Sequence, residues 1–286
     1  MHGAARTDAR AGDVRRIPAE LGYVLPLLLV TLAAFVLPIA VMLARSVAHP
    51  EPTLEHYQAL FETAIYLRVL GRTLRIAVIT TIACVLLGYP LAYWLRGLSP
   101  QRRVIAVALV VLPFWISILV RTYAWIVVLG NAGLVNRLLL DLGFVAAPVP
   151  FLYNEIGVII GTTNVLLPFL VLPLFAAMLR IDERLLQAAE SLGAPRWTVV
   201  RRVFFPLSLP ALAAGSILVF ILTFGFYITP AILGGGRVPM VANALDLLIN
   251  QFARWEAAAA LSTVLLIVTL SCFGLSRWIG ARGATS

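Results

Sequence analysis

The residues whose types and order point most clearly to chemistry lie in one polar stretch, Arg180 to Pro206, set between two long apolar blocks. Asp182 is a helix N-cap type, and Glu183 puts negative charge at the positive end of a helix dipole. Leu185, Leu186, Ala188, Ala189 and Leu192 follow at helical spacing. Gly193 falls where a left-handed C-cap is expected, and Pro195 suits the first turn of a second helix. That second helix carries Trp197, Val200, Val203 and Phe204 and is expected to stop near Pro206. Such a segment recognises rather than catalyses. Ala188 and Ala189 let another protein surface approach closely, and the glycine fixes the elbow. A second reading stays open at this point, a basic amphipathic helix lying on anionic lipid.

Polar groups inside the apolar blocks are few. Arg121 lies well into the third block, where an arginine must be paired, buried or able to reach the interface. It either snorkels towards headgroups or a loop carboxylate such as Glu155, or it faces a translocation path or stabilises an outer gate. Trp115, Tyr123 and Trp125 read either as interfacial belt aromatics or as faces along which a cation slides. Thr162, Thr163, Asn164, Thr223 and Tyr227 are further path candidates, although such groups also bond helix to helix. No Asp or Glu lies well inside any block, which argues against a proton- or sodium-coupled secondary transporter. An intramembrane enzyme would need a Ser/His or metal-binding His cluster, and His2, His49 and His56 all lie outside the blocks. Cys84 and Cys272 have no metal-ligand spacing and read as small packing residues. No cofactor or metal is called for, and the chain has no Gly-rich phosphate loop.

The elements that must position these groups follow from composition. Of 286 residues 61% are hydrophobic and 12% charged, and the mean hydropathy is +0.97. A soluble domain carries about a quarter charged residues. The apolar residues fall into blocks near 21–47, 70–95, 104–129, 156–179, 207–233 and 257–279, each about the twenty residues that cross a bilayer core. The prediction is an all-α polytopic membrane protein with six transmembrane helices. Pro26, Pro38, Pro90, Pro113, Pro168 and Pro173 are expected to kink but not end them. A polar tail over 1–20, a transmembrane domain over 21–280 and a short tail over 281–286 complete the division. All 22 basic residues are arginine, for a net charge of +9. Fourteen of them fall on one side if the N-terminus is inside, so both termini are expected in the cytoplasm. The basic charge thus reflects topology and not nucleic-acid binding.

The polar stretch also resembles the cytoplasmic signature of ABC importer permeases: Glu-Ala-Ala, three residues, Gly, nine residues, Ile-x-Leu-Pro. Here it stands as Gln187-Ala188-Ala189, then Gly193, then Val203-Phe204-Phe205-Pro206. Gln keeps the length of Glu but not its charge. Leu112 to Trp125 is similar to the third helix of spermidine/putrescine-type permeases. Gln251-Phe252, Trp255 and Ala258-Ala259-Ala260-Leu261-Ser262 resemble that group's approach to its last helix. The likeness covers most of residues 20–280. It implies the type I importer permease fold in a bacterial inner membrane, with 180–206 as the loop that couples to ATP-binding subunits. It also implies two copies of that subunit, a second permease half (another copy or a homologous chain) and an extracytoplasmic substrate-binding protein. Cargo across the group includes polyamines, opine-like compounds and aminophosphonates.

Overall fold

Runs of twenty or more apolar residues can satisfy their backbone in a bilayer only by closing it into helices. The computed structural model describes residues 19–48 and 52–283, with side chains over 24–47 and 52–274. In chain order the helices are α1 (Ala19–Ala48), α2 (Glu55–Glu62), α3 (Ala64–Gly97), α4 (Pro100–Val111), α5 (Ile118–Leu129), α6 (Leu134–Asp141) and α7 (Glu155–Met178). They continue as α8 (Glu183–Ser191), α9 (Arg196–Val199), α10 (Phe205–Phe224), α11 (Ile228–Leu233), α12 (Val241–Asp246) and α13 (Trp255–Gly283). Six stretches among the described residues are long and apolar enough to cross a membrane: Val24–Val47, Ala64–Gly97, Ile118–Asp141, Glu155–Met178, Arg196–Phe224 and Trp255–Gly274. The expected tails lie mostly outside the described residues, as do His2 and His49. Residues 19 and 20 already open α1, and 281–283 still belong to α13.

Three expectations are corrected. The third block is not one helix: α4 tightens into a 3₁₀ turn over Leu112–Trp115, Ile116 is extended at φ −90° and ψ 130°, and α5 then restarts. Pro113, which lacks an N–H and crowds the preceding turn, sits in that tightened segment. The fifth block is also broken. Here α10 closes at Gly225, the Phe226 N–H falls back on the Thr223 carbonyl at 3.2 Å, and α11 begins at Ile228. The Pro230 ring would clash with the carbonyl four residues before it if the helix ran straight through. Pro206, by contrast, does not end the helix before it. A π turn over Val200–Phe204 joins α9 to α10, with the Phe205 N–H on the Val200 carbonyl. The wider turn makes room for the proline ring, so helix runs unbroken from Arg196 to Phe224.

Lipid tails are as apolar as leucine, so these helices associate through close packing at small residues. The core is the trio α3, α7 and α10, around Leu166, Leu170, Val171, Leu174, Met178 and Phe204. Leu170 is gripped from two sides. A Cβ on Gly88 would stand 2.9 Å from its Cδ2, and one on Gly215 would stand 2.8 Å from its Cδ1. Cys84 is buried with its thiol towards the Thr163 carbonyl, a packing role as expected. At the end of the bundle formed by Ala64, Glu155 and Trp255, Ile76, Val158, Leu233 and Met240 make a second cluster. There the Thr73 hydroxyl accepts the Val241 N–H at 3.0 Å, fixing α12 to α3. Helix α1 packs on α13 at the periphery, and of its residues over Val24–Val47 Ser46 alone is buried.

Candidate functional site

The 180–206 stretch folds as its residue types dictate. The Asp182 carboxylate accepts the Arg184 N–H at 2.9 Å and caps α8. At the other end Gly193 has φ +83°, the Gly193 N–H reaches the Glu190 carbonyl at 2.9 Å, and the Ala194 N–H reaches that of Ala189 at 3.2 Å. This is the paired 5→2 and 6→1 bonding of a Schellman cap. Pro195 then caps α9. The glycine-elbow geometry is as the spacing predicts.

The apolar residues of α8 divide between two faces, which periodicity alone did not separate. Leu186 turns inward onto the α3–α7–α10 core, together with Ile181 from the preceding turn. Leu185, Ala188 and Leu192, at i, i+3 and i+7, form an outward stripe. Leu192 is 89% exposed and, beyond the elbow, Trp197 is 71% exposed. Gln187 is exposed beside the stripe, Ala189 and Val203 are half-buried, and Pro206 is exposed. Nothing lies within 4 Å of a Cβ built on Gly193, so the elbow has free space around it.

What holds this segment against the bundle is a residue that sequence reasoning missed. Arg96, in the last turn of α3, donates from Nε to the Met178 carbonyl at 3.1 Å. Its guanidinium lies 4.9 Å over the Phe204 ring and 3.8 Å from the Glu183 carboxylate. One side chain thus touches the end of α7, the start of α8 and the π turn before α10. Phe204 is itself buried and meets the Tyr93 ring edge-on at 5.1 Å. Tyr89 adds an edge contact to Phe205 and a 3.0 Å bond between its hydroxyl and that of Ser208. An arginine near a helix C-terminus is a legible dipole partner, but its contacts 82 and 108 positions away are not.

The path candidates do not converge on one lining. Trp115 is 86% exposed at the break between α4 and α5, and Tyr123 is exposed on α5. Trp125 packs on the second cluster. Thr223 is buried and bonds the Val219 carbonyl of its own helix at 2.7 Å. Thr162 and Thr163 are buried with hydroxyls that have no partner among the described residues, and Asn164 is half-buried. Arg121 is half-buried with its Nε unpartnered. Glu155, the carboxylate suggested for it, is engaged elsewhere: Arg75 bonds it directly and Arg72 stands 3.4 Å away. Tyr227 sits just beyond the break in the fifth span and donates its hydroxyl to Asp246 at 3.0 Å. That carboxylate also went unnoticed in the sequence, because it follows the fifth block in a segment with no span of its own. No group of three or more His, Cys, Asp or Glu among the described residues could hold a metal.

No protein-family model matches the chain. It is 39% identical over 218 residues to the spermidine/putrescine transport system permease protein PotB of Haemophilus influenzae, covering 76% of this chain and 75% of that one. It is 32% identical over 272 residues to the putative 2-aminoethylphosphonate transport system permease protein PhnU of Salmonella typhimurium, covering 92% of both. Among solved structures, a chain of the bacterial alginate ABC transporter in complex with its alginate pentasaccharide-bound periplasmic protein matches with a TM-score of 0.73. That match has 20% identity and covers 93% of this chain and 99% of that one, a likeness of fold.

Proposed function

The chain belongs to the spermidine/putrescine-type permeases of ABC importers, and from that premise we propose that it forms half of a translocation pathway driven by a separate ATP-binding subunit. The 180–206 loop is the docking element for that subunit, and Gln187, Ala188, Ala189, Gly193, Val203 and Pro206 are its signature positions. The observation that carries this reading is the outward stripe of Leu185, Ala188 and Leu192 with Trp197, presented by a capped elbow and clamped to the core by Arg96. The loop faces the cytoplasm together with both termini. Two copies of the ATP-binding subunit, a second permease half and an extracytoplasmic binding protein complete the assembly in the bacterial inner membrane.

Transmission follows from the mechanics of the helices. The helix from Arg196 to Phe224 is 29 residues long, so it reaches about 40 Å. Movement of the elbow is carried along it to the break at Gly225–Tyr227, beyond which α11 leaves α10 and packs on α5 and α7. Arg96 passes the same movement to α3 and α7. Closure of the ATP-binding pair on ATP thereby opens the bundle at the opposite end, and hydrolysis resets it. Nucleotide chemistry belongs to the partner, so the chain is not itself an enzyme. Its cargo is a polyamine or a similar small amine, opine or aminophosphonate. Trp115, Arg121, Tyr123, Trp125, Thr163, Asn164, Thr223 and Tyr227 remain the candidate path residues.

An ion-coupled secondary transporter is the reading to beat. It needs embedded carboxylates, and the acids in the described spans, Asp141, Glu155 and Glu256, sit at their ends. Gentle purification of the tagged chain from its host separates the two. An ABC-type ATPase should accompany the protein and be lost on Gly193→Asp, while membrane insertion is unchanged. A well-folded chain that never brings an ATPase with it returns the secondary transporter to first place.

A further inference from the structure

Among the strongly charged patches, one is not absorbed by the coupling loop or the path candidates. Arg68, Arg72 and Arg75 stand at i, i+4 and i+7 in the second to fourth turns of α3, so their side chains share one face. Between them Gly71 is exposed with nothing within 4 Å of its Cβ position, and the notch it floors has a volume of about 290 Å³. Among the described residues one carboxylate, Glu155, meets the group, and it is shared by Arg72 and Arg75. Arg68 has no acidic partner among the described residues and bonds only the Ala64 carbonyl of its own helix. Arg72 also donates to the Arg237 carbonyl at 3.3 Å, which brings an exposed fourth arginine into the neighbourhood. The notch therefore keeps an excess of positive charge.

We infer that this notch is an oxyanion site for the cargo, taking a phosphonate, phosphate or carboxylate group on the Arg68, Arg72 and Arg75 guanidiniums over Gly71. Planar guanidinium forks match tetrahedral and carboxylate oxyanions bidentately, which a point charge does not. The inference rests on the importer reading, because that reading makes this end of α3 the side at which cargo arrives. It narrows the cargo to zwitterionic compounds such as aminophosphonates or amino-carboxylates. A pure polycation would meet three arginines at the mouth and no carboxylate well inside the described spans. A lipid phosphate offers the same chemistry, so the test must separate the two sources.

The tagged chain, with whatever accompanies it, is placed in phosphatidylcholine nanodiscs and titrated calorimetrically with 2-aminoethylphosphonate, inorganic phosphate and spermidine. The two oxyanions are expected to bind competitively and spermidine not to compete. Arg68→Gln leaves both Glu155 contacts in place and should weaken oxyanion binding about tenfold, the effect of losing one charge-assisted bond. Gly71→Leu meets no atom within 4 Å of the new Cβ, so the fold should tolerate it, yet it fills the notch and should abolish binding with all the charges retained. The proposal is overturned if the oxyanions fail to bind, or bind the Gly71→Leu protein equally well. It is also overturned if spermidine competes, or if the notch responds only to discs doped with phosphatidylglycerol, a lipid site. Because the titration does not depend on an ATPase being present, its failure is distinct from failure of the importer reading.

Discussion

Arg96 decides how firmly the elbow follows the bundle, and its three contacts are unequal. The Glu183 pair is long at 3.8 Å and Glu183 is 77% exposed, so solvent screening leaves that pair little weight. The bond to the Met178 carbonyl and the Phe204 ring contact dominate, together worth about 1–3 kcal/mol. Arg96→Ala should therefore lower the thermal midpoint of the complex and leave ATPase activity less tightly tied to uptake. Arg96→Lys should recover part of this, since lysine keeps the charge but not the planar fork. Glu183→Gln should change little. A ratio of ATP hydrolysed to substrate moved, measured in proteoliposomes, would expose an Arg96 that is merely structural by staying constant. At Gly193 the strain is conformational. A φ of +83° costs an L-residue about 1 kcal/mol, so Gly193→Ala should be mildly destabilising by thermal melt and Gly193→Asn milder still. Gly193 and Asp182 were legible in the sequence because caps are local bonds. Arg96, the ring contacts of Phe204 and the pairing of Asp246 with Tyr227 were not, because those partners come from other elements.

Among the elements, block hydropathy found six spans, but it set the third over 104–129 where the apolar stretch is Ile118–Asp141, and it could not see where two of the blocks break. Averaging over apolar residues is blind to the tightened segment at Pro113 and to the arrest at Gly225 before Pro230, where backbone sterics prevail. The same local view expected Pro206 to stop a helix that a π turn instead carries through. That turn has a testable consequence. In Pro206→Ala the bulge is no longer needed, and its loss would rotate α9 against α10 by about 100°, one residue of helix. Coupling should fall far more than stability, read as ATPase stimulated by cargo against the melting midpoint. In the core, Gly215→Val should have the opposite signature. Its Cβ would lie 2.8 Å from the Leu170 side chain, and overpacking of this kind costs about 1–3 kcal/mol, seen as a lower melting midpoint in detergent.

At the scale of the whole molecule, the charged groups are sorted to the two ends and the middle is left to packed apolar helices. One end presents the capped elbow with its apolar stripe, and the other presents the arginines around Gly71, with the α3–α7–α10 trio between them. The long apolar helix α1 covers none of this core and packs on α13 at the periphery. In the proposed assembly the elbow meets an ATP-binding subunit. The direct measurement is to place a photo-crosslinking amino acid at Leu192 in native membranes, with Leu142, exposed at the other end of the bundle, as control. An adduct with an ABC-type ATPase is expected from position 192 and none from position 142. Adducts from 192 with lipid alone would contradict it, leaving the elbow an amphipathic helix that rests on the membrane surface.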